Sequence, residues 1–537
     1  MNQPERSGIL QPGFTRRRVL AGLAGAGVAA GAGSLLAACS SSGSSGSTAP
    51  SASSSAKPRS GGNLQVGLTG GSSSDTLDPH KGVTDLDISR IQTLYEPLVA
   101  LDDQGQTVQY LLAEEITAQN GSLTDWVVKL RDGVTFHDGK PLTADDVVFS
   151  INRIFSLAAP GKIFMGPVDL KGTKKIDSST VLIKLTTPVA FYPQQLAAAP
   201  FNLLIAPTTL NPAKPNGTGA FKYQSFTPGS RSVFTRNANY WQHGLPYAET
   251  LTIIDFADTK SLSDALTTGQ IQAAGTLDPP QIPALANASG VDVVVSKAGS
   301  IIPFTMRVDQ APFNDVNVRQ AMRLLVDRPQ MIDSALDSYG TVAADVFSPY
   351  DPDFDHSLVR QQDIPQAKSL LQKAGQENLK VTLVTSAVLS GVTALATVFA
   401  EQAQAAGVTV TVKNVPPGTF FGPNYLQWGF SQDYYSYFPY LTQVAQSMLP
   451  SSPYNETHTS NPQYTSLYNQ AVATPNAGLR KEIMYEMQQY DFNSGGYIIP
   501  AFTDTLDAYS TTITGYAQSR LGQPLMNYGF MHFGFSA

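Results

Sequence analysis

A single cysteine in 537 residues rules out an intrachain disulfide. Histidine is sparse too. His80, His137, His243, His356, His458 and His532 are scattered, and no two stand at the spacing of a helix-borne metal motif such as His-Glu-x-x-His. Charge is thin at 14% and acidic in balance, with a net charge of −7. Residues 1–38 hold four Arg and one Glu, so the remaining chain carries 31 basic and 41 acidic side chains, a net −10. An acidic body without a basic stripe excludes nucleic acid as a partner, because phosphate binding needs Lys and Arg to replace counterions. The body also lacks a Gly-x-Ser-x-Gly elbow, a metal-ligand set and a cysteine nucleophile, so hydrolase machinery is not visible. What is present is a 42% hydrophobic chain, too apolar for a disordered one. It is longer than the roughly 250–300 residues that one core serves, which predicts two or more lobes.

The N-terminus is unlike the rest. Thr15-Arg16-Arg17-Arg18-Val19-Leu20 precedes an uncharged run to Ala38, and Cys39 follows. A basic segment, an apolar stretch and small residues before a cut describe a signal peptide. Arg16 and Arg17 followed by Val-Leu resemble the twin-arginine export signal. The run holds eight Ala and five Gly, a weak hydrophobicity that suits that route. Leu36-Ala37-Ala38-Cys39 resembles the bacterial lipobox, which implies a lipid on the Cys39 thiol and a bilayer as partner. Acyl chains contribute about 0.8 kcal/mol per buried methylene, so two or three anchor stably. The alternative is an uncleaved anchor, since about 20 residues can span a bilayer. Residues 39–60 follow as a Ser-rich tract, with 11 Ser among residues 40–60. That composition makes a flexible tether with a reach of about 25 Å. The folded part is expected from Gly61.

In the body, Leu64, Val66 and Leu68 alternate with polar or small residues and predict a strand, as do Trp126–Leu130 and Val181–Leu185. Thr143-Ala144-Asp145-Asp146 is a helix start, and Asn317 opens another helix with an apolar stripe at Val318, Ala321, Met322, Leu325 and Val326. Between 363 and 413 the pattern predicts a short helix, then a strand at Leu379–Thr385, a helix at Gly391–Ala406 and a strand at Val408–Val412. A strand, helix and strand of this length form a βαβ unit with parallel strands. Ligands in open α/β sheets bind beyond the carboxyl ends of such strands. The loops Ser386–Ser390 and Asn414–Phe421 are therefore either cleft walls or plain surface loops.

Four segments carry a resemblance. They are Thr76-Leu77-Asp78-Pro79-His80 with Tyr95-Glu96-Pro97-Leu98; the run Leu130 to Gly139 continuing through Pro141–Val147 to Ser150-Ile151-Asn152-Arg153; Gly217-Thr218-Gly219-Ala220-Phe221 with Arg236-Asn237 and Tyr240-Trp241; and Pro312-Phe313-Asn314-Asp315-Val316 with Val318-Arg319-Gln320-Ala321 and Asp327-Arg328. In that order they resemble the family 5 extracellular solute-binding proteins, the peptide and nickel receptors of ABC importers. Most of these residues read as structural. His137 sits in an Asp-Gly turn, and Asp145 and Asp146 point about 100° apart on a helix, so they do not form a dyad.

The resemblance implies a two-lobed α/β clamshell of the periplasmic-binding-protein type II, with an extra subdomain in the first lobe. Lobe 1 is expected at 61–300, including an insert at about 90–204, lobe 2 at 301–499, and a return to lobe 1 at 500–537. The chain crosses at Ile301–Val308 and Tyr497–Thr505. The implied function is capture of a peptide or peptide-like solute outside the cytoplasm and delivery to an ABC permease, without catalysis, by a monomer with no cofactor. A sugar, an opine-like compound or a metal chelate are alternatives, and a secreted hydrolase is a further one. The family's ammonium-binding Asp matches Asp433 in Trp428-Gly429-Phe430-Ser431-Gln432-Asp433-Tyr434-Tyr435, although Tyr435-Ser436-Tyr437 stands where the family usually has Pro-Asp-Pro. Arg307 stands where members often have Asn, six residues before Phe313. It either grips a ligand carboxylate or pairs with Asp309. Trp428, Tyr434 and Tyr435 are aromatic candidates for the cleft, with Phe304 on the first crossing and Ser386 at the head of a cleft loop.

Overall fold

Leu64, Val66 and Leu68 are fully buried along the strand Asn63–Thr69, and this strand sits inside the largest sheet. In the computed structural model, which describes residues 57–157, 159, 161–199, 201 and 203–536, that sheet has eight strands. Seven run in the order Val291–Ile301, Ala501–Ser510, Ala273–Ala274, Asn63–Thr69, Thr250–Phe256, Arg231–Arg236 and Phe221–Thr227. Asn63–Thr69 is parallel to both its neighbours and the outer pairs are antiparallel, so the sheet is mixed. A Cβ at Gly67 would lie 2.4 Å from Leu262 Cδ1 on the covering helix Thr259–Thr267, so any side chain there would have to push the packed side chains aside.

A second sheet of five strands runs Thr409–Asn414, Lys380–Thr385, Phe430–Gln432, Phe304–Met306 and Tyr497–Ile498. Lys380–Thr385 and Thr409–Asn414 pair in parallel across the helix Val392–Gln404, the βαβ unit that the sequence predicts. The two sheets have separate cores, and together they make a two-lobed α/β fold. The chain passes directly from a strand of one sheet to a strand of the other at two points, side by side. Each passage reads Ile-Ile-Pro, at Ile301-Ile302-Pro303 and Ile498-Ile499-Pro500. Proline has no N–H to continue a ladder, so pairing stops at both points. Gly340–Val342, from the middle of the expected second lobe, pairs instead with Ala501–Ser510 of the eight-stranded sheet.

The segments between helix Asp85–Leu94 and residue 205 form a four-stranded antiparallel sheet with its own core. It is built on Asp125–Leu130 and Thr180–Lys184, beside the helix Ala144–Ser156. Asp146 closes that helix start: Thr143 N–H and Oγ1–H both donate to its Oδ2, at 3.0 and 2.7 Å. The helix expected from Asn317 runs Val316–Leu324. Its cap is Asp315, which accepts from Asn317 N–H at 2.7 Å, because a capping acceptor stands two or three residues before the amide it serves.

The first three motifs interlock, and the fourth is braced separately within the second lobe. Arg153 grips Asp78 with both Nη atoms, at 2.7 and 2.6 Å, and Nη1 lies 2.8 Å from His80 Nδ1. Gly217 N–H donates to His137 Nδ1 at 3.3 Å, and His137 Nε2 faces Gly219 O at 3.0 Å. Burial holds His137 at about 4, so it is neutral. A Cβ at Gly217 would lie 1.9 Å from Leu94 O, which leaves no room for any side chain. Glu96 accepts from Tyr240 Oη at 2.6 Å and from Trp241 Nε1 at 3.0 Å. Arg328 Nη2 donates to both carboxylate oxygens of Asp345, at 2.8 and 2.9 Å.

Candidate functional site

Strand Phe430–Gln432 runs parallel to Lys380–Thr385, in register at Val384 and Ser431. Their carboxyl ends therefore fall together, and the next residues are Asp433 and Ser386. Asp433 is 5% exposed. Its Oδ1 accepts from Tyr434 N–H at 2.8 Å and its Oδ2 from Tyr425 Oη at 2.9 Å. Glu456 lies against it, and Glu456 Oε1 accepts from Tyr435 Oη at 2.9 Å and Tyr497 Oη at 3.0 Å. Burial raises the pKa of both carboxyls, and the Asp433 charge raises Glu456 further. Two buried carboxyls side by side disfavour double ionisation, so the pair favours sharing one proton.

A cavity of about 200 Å³ opens where the chain crosses between the sheets. Ser300 to Ile302 of the first crossing and Thr503 to Leu506 of the second form one side. Tyr434, Tyr435 and Leu389 face it from the five-stranded sheet, and Asp85 and Pro524 from the other lobe. A larger cavity of about 360 Å³ is lined by first-lobe residues such as Glu96, Tyr240 and Tyr528. A hinge between the lobes does not act on it, so the smaller cavity is the candidate site. Among the described residues no three His, Cys, Asp or Glu side chains converge to hold a metal ion.

A family model described as bacterial extracellular solute-binding proteins, family 5 (middle), matches residues 107–465. The chain belongs to that family. It is 28% identical over 314 residues to the glutathione-binding protein GsiB of Shigella flexneri, covering 57% of this chain and 61% of the relative. The chain thus spans about three fifths of the length of the curated relatives it matches. Among solved structures it is similar to the ABC transporter substrate-binding protein CtaP of Listeria monocytogenes, with a TM-score of 0.77 and 22% identity over 89% of this chain and 100% of the other. It is also similar to the periplasmic binding protein DppA of Helicobacter pylori, solved with a peptide, with a TM-score of 0.76 and 18% identity over 89% and 99%. These structural likenesses bear on the fold.

The expected site residues of this family 5 chain separate into groups. Tyr434, 42% exposed, and Tyr435 line the cavity. Asp433 precedes them in the chain, is buried and bonded to Tyr425, and does not itself line the cavity. Trp428 is half-buried in a small cluster with Val384, Val415 and Phe420, and its Nε1 donates to Phe420 O at 3.3 Å. Ser386 is 1% exposed and its hydroxyl has no partner among the described residues. Phe304 is fully buried, packed on Phe399 with ring centroids 4.5 Å apart, and belongs to the second-lobe core rather than the cavity wall. Arg307 is paired with Asp309, Nε and Nη2 donating at 2.7 Å each, and Nη1 reaches Gln427. That is the second of the two readings the sequence allows for it. Of the two loops, Leu389 and Ser390 reach the cavity. Cys39, Arg16 and Arg17 lie outside the described residues. Sequence reasoning missed Glu456 and Asp85. Glu456 follows no period or motif, and Asp85 reads as an ordinary acidic residue in a first helical turn.

Proposed function

We propose that this chain is the extracytoplasmic substrate-binding lipoprotein of an ABC importer, capturing peptides or peptide-like solutes by hinge closure and handing them intact to a membrane permease. The observation that carries the reading is the cavity at the double crossing, walled from both lobes. A ligand seated there touches both halves and so favours the closed arrangement over the open one. Asp433 is the anchor for a ligand ammonium, entering beside Glu456 once Tyr425 turns aside, as a charge-assisted hydrogen bond. Tyr434 and Tyr435 supply the apolar wall that small-molecule sites share. Lobe 1 takes residues 61–300 with an insert at about 90–204 and the return at 500–537, and lobe 2 takes 301–499 apart from the strand Gly340–Val342, which joins the first-lobe sheet. Residues 1–38 serve as a twin-arginine lipoprotein signal, Cys39 carries the lipid, and 39–60 tether the body to the outer face of the membrane. Among the described residues no helix is long and apolar enough to cross a membrane. The name of the glutathione-binding relative and the peptide bound to the Helicobacter protein support a peptide-like ligand.

The test is thermal melting of the purified chain with a library of two- to six-residue peptides, followed by mass spectrometry of the recovered ligand. A binder raises Tm with concentration as RT ln(1 + [L]/Kd) and returns uncleaved. Asp433→Asn abolishes the shift. Cleaved ligand would move the reading to a hydrolase, and no shift with any peptide would end it.

A further inference from the structure

The lining of the crossing cavity contains two carboxylates, Asp85 and Asp504, and no Lys, Arg or His. Asp504 stands on the strand Ala501–Ser510, with its side chain 1% exposed. Its Oδ2 accepts from Lys297 Nζ at 2.8 Å, while Lys297 itself reaches out to solvent at 55% exposure. Its Oδ1 has no hydrogen-bond partner among the described residues. A buried carboxylate oxygen without a donor is rare in a folded protein and marks a place where a donor is missing.

Asp85 opens the helix Asp85–Leu94 from the first lobe. Tyr528 Oη donates to its Oδ1 at 2.7 Å, and no donor reaches Oδ2 among the described residues. Tyr528 ends an unusual turn, in which Leu525, Met526, Asn527 and Tyr528 have φ of 52°, 55°, 54° and 58°. Four successive L-residues in the left-handed region are strained, and such strain persists where the surroundings hold it. Asp507 holds this turn by accepting Leu525 N–H at 2.8 Å. The turn thereby fixes one oxygen of Asp85 and leaves the other open. From the second lobe Tyr434 lines the same cavity and offers a ring to a cation.

Resting on the receptor reading above, we propose that this cavity selects solutes bearing a side-chain cation, an ammonium or guanidinium group held by Asp85 and Asp504 beside Tyr434. Burial pushes both carboxyls up from their ordinary range, and a cation restores their charged form. Glutathione, with two carboxylates and one ammonium, lacks such a group. This separates the chain from the relatives named for that ligand.

Calorimetric titration of the full chain with Lys-Ala-Ala, Ala-Lys-Ala, Ala-Ala-Lys, Ala-Ala-Ala, Ala-Glu-Ala and glutathione decides it. At least one lysine peptide is expected to bind tenfold or more tighter than Ala-Ala-Ala, and Asp85→Asn is expected to bring that ratio below threefold. Neutral or acidic peptides binding as tightly as all three lysine peptides to the unaltered chain would overturn the inference while sparing the receptor reading. A ratio that survives Asp85→Asn would overturn the assignment to Asp85. No binding by any of the six at 1 mM would overturn the inference together with the peptide reading.

Discussion

At single residues, buried carboxyls set the main pH response, opposed below about pH 6.5 by His80 and His137, which burial holds at about 4. Burial pushes Asp491 up to about 7 despite the hydroxyls of Tyr440 and Tyr464, and Asp507 and Glu96 to about 7 as well. Between the ordinary carboxyl range and pH 7 these groups hold protons in the folded state that the unfolded chain has lost. Stability is therefore full below the ordinary carboxyl pKa and falls as pH rises through the window, by about 1.4 kcal/mol per pH unit for each group. Asp78 behaves in the opposite sense: against the upward push of burial, Arg153 holds it below its ordinary value, and its contribution is lost only in stronger acid. Tm should thus be higher at pH 5 than at pH 7.5, and Asp491→Asn should flatten part of the slope. A Tm profile that rises from pH 5 to 7.5 would refute this.

At the level of elements, two adjacent aspartates at one helix start have different tasks. Asp146 is buried and accepts from Thr143 N–H and from Thr208 N–H, the latter at 2.9 Å. Asp145 is exposed and pairs with Lys175, itself exposed, at 2.7 Å. Asp146→Ala leaves two amides without an acceptor and should cost about 2–4 kcal/mol. Asp145→Ala should change stability by less than about 0.5 kcal/mol. Equal Tm values for the two variants would show that the cap is not what holds this helix. The motif that contains both was legible in the sequence as a helix start. Which of the two carboxylates turned inward was not, because residues one apart differ by about 100° and the neighbour at Thr208 is distant in the chain. The βαβ unit from 380 to 414 was legible because strand and helix periods change cleanly there. Short strands such as Ala273–Ala274 and Gly340–Val342 carry too few residues to show a period.

Over the whole molecule, two Ile-Ile-Pro passages are the direct strand-to-strand links between the two sheets among the described residues, while the excursion to Gly340–Val342 runs through helices, so relative motion of the lobes is expected at those passages. Ligand that closes the cavity should reduce the radius of gyration measured by small-angle scattering at saturation. An unchanged radius with a saturating binder would exclude hinge closure and favour a preformed pocket. The interlocked motifs stay out of this motion. Asp78 with Arg153, His137 with Gly217 and Glu96 with Tyr240 all lie within the first lobe, where they hold its insert against its sheet.

Local pattern was enough to determine the acidic, cysteine-poor character of the body, the helix starts, the parallel βαβ unit and the family. Each of these rests on residues within a few positions of one another or on an ordered set of motifs. The site was decided only by the tertiary structure. Asp85 is hundreds of residues from Asp433, Glu456 and Asp504, which are themselves tens of residues apart, and they become neighbours or cavity partners through sheet order and the paired crossings. Arg307 shows the same limit, since its choice of Asp309 depends on side-chain direction at a strand end, and Phe304 turns to the core because the sheet buries that face. Burial and charge proximity, which govern what these groups do, are properties of the folded arrangement and have no period along the chain.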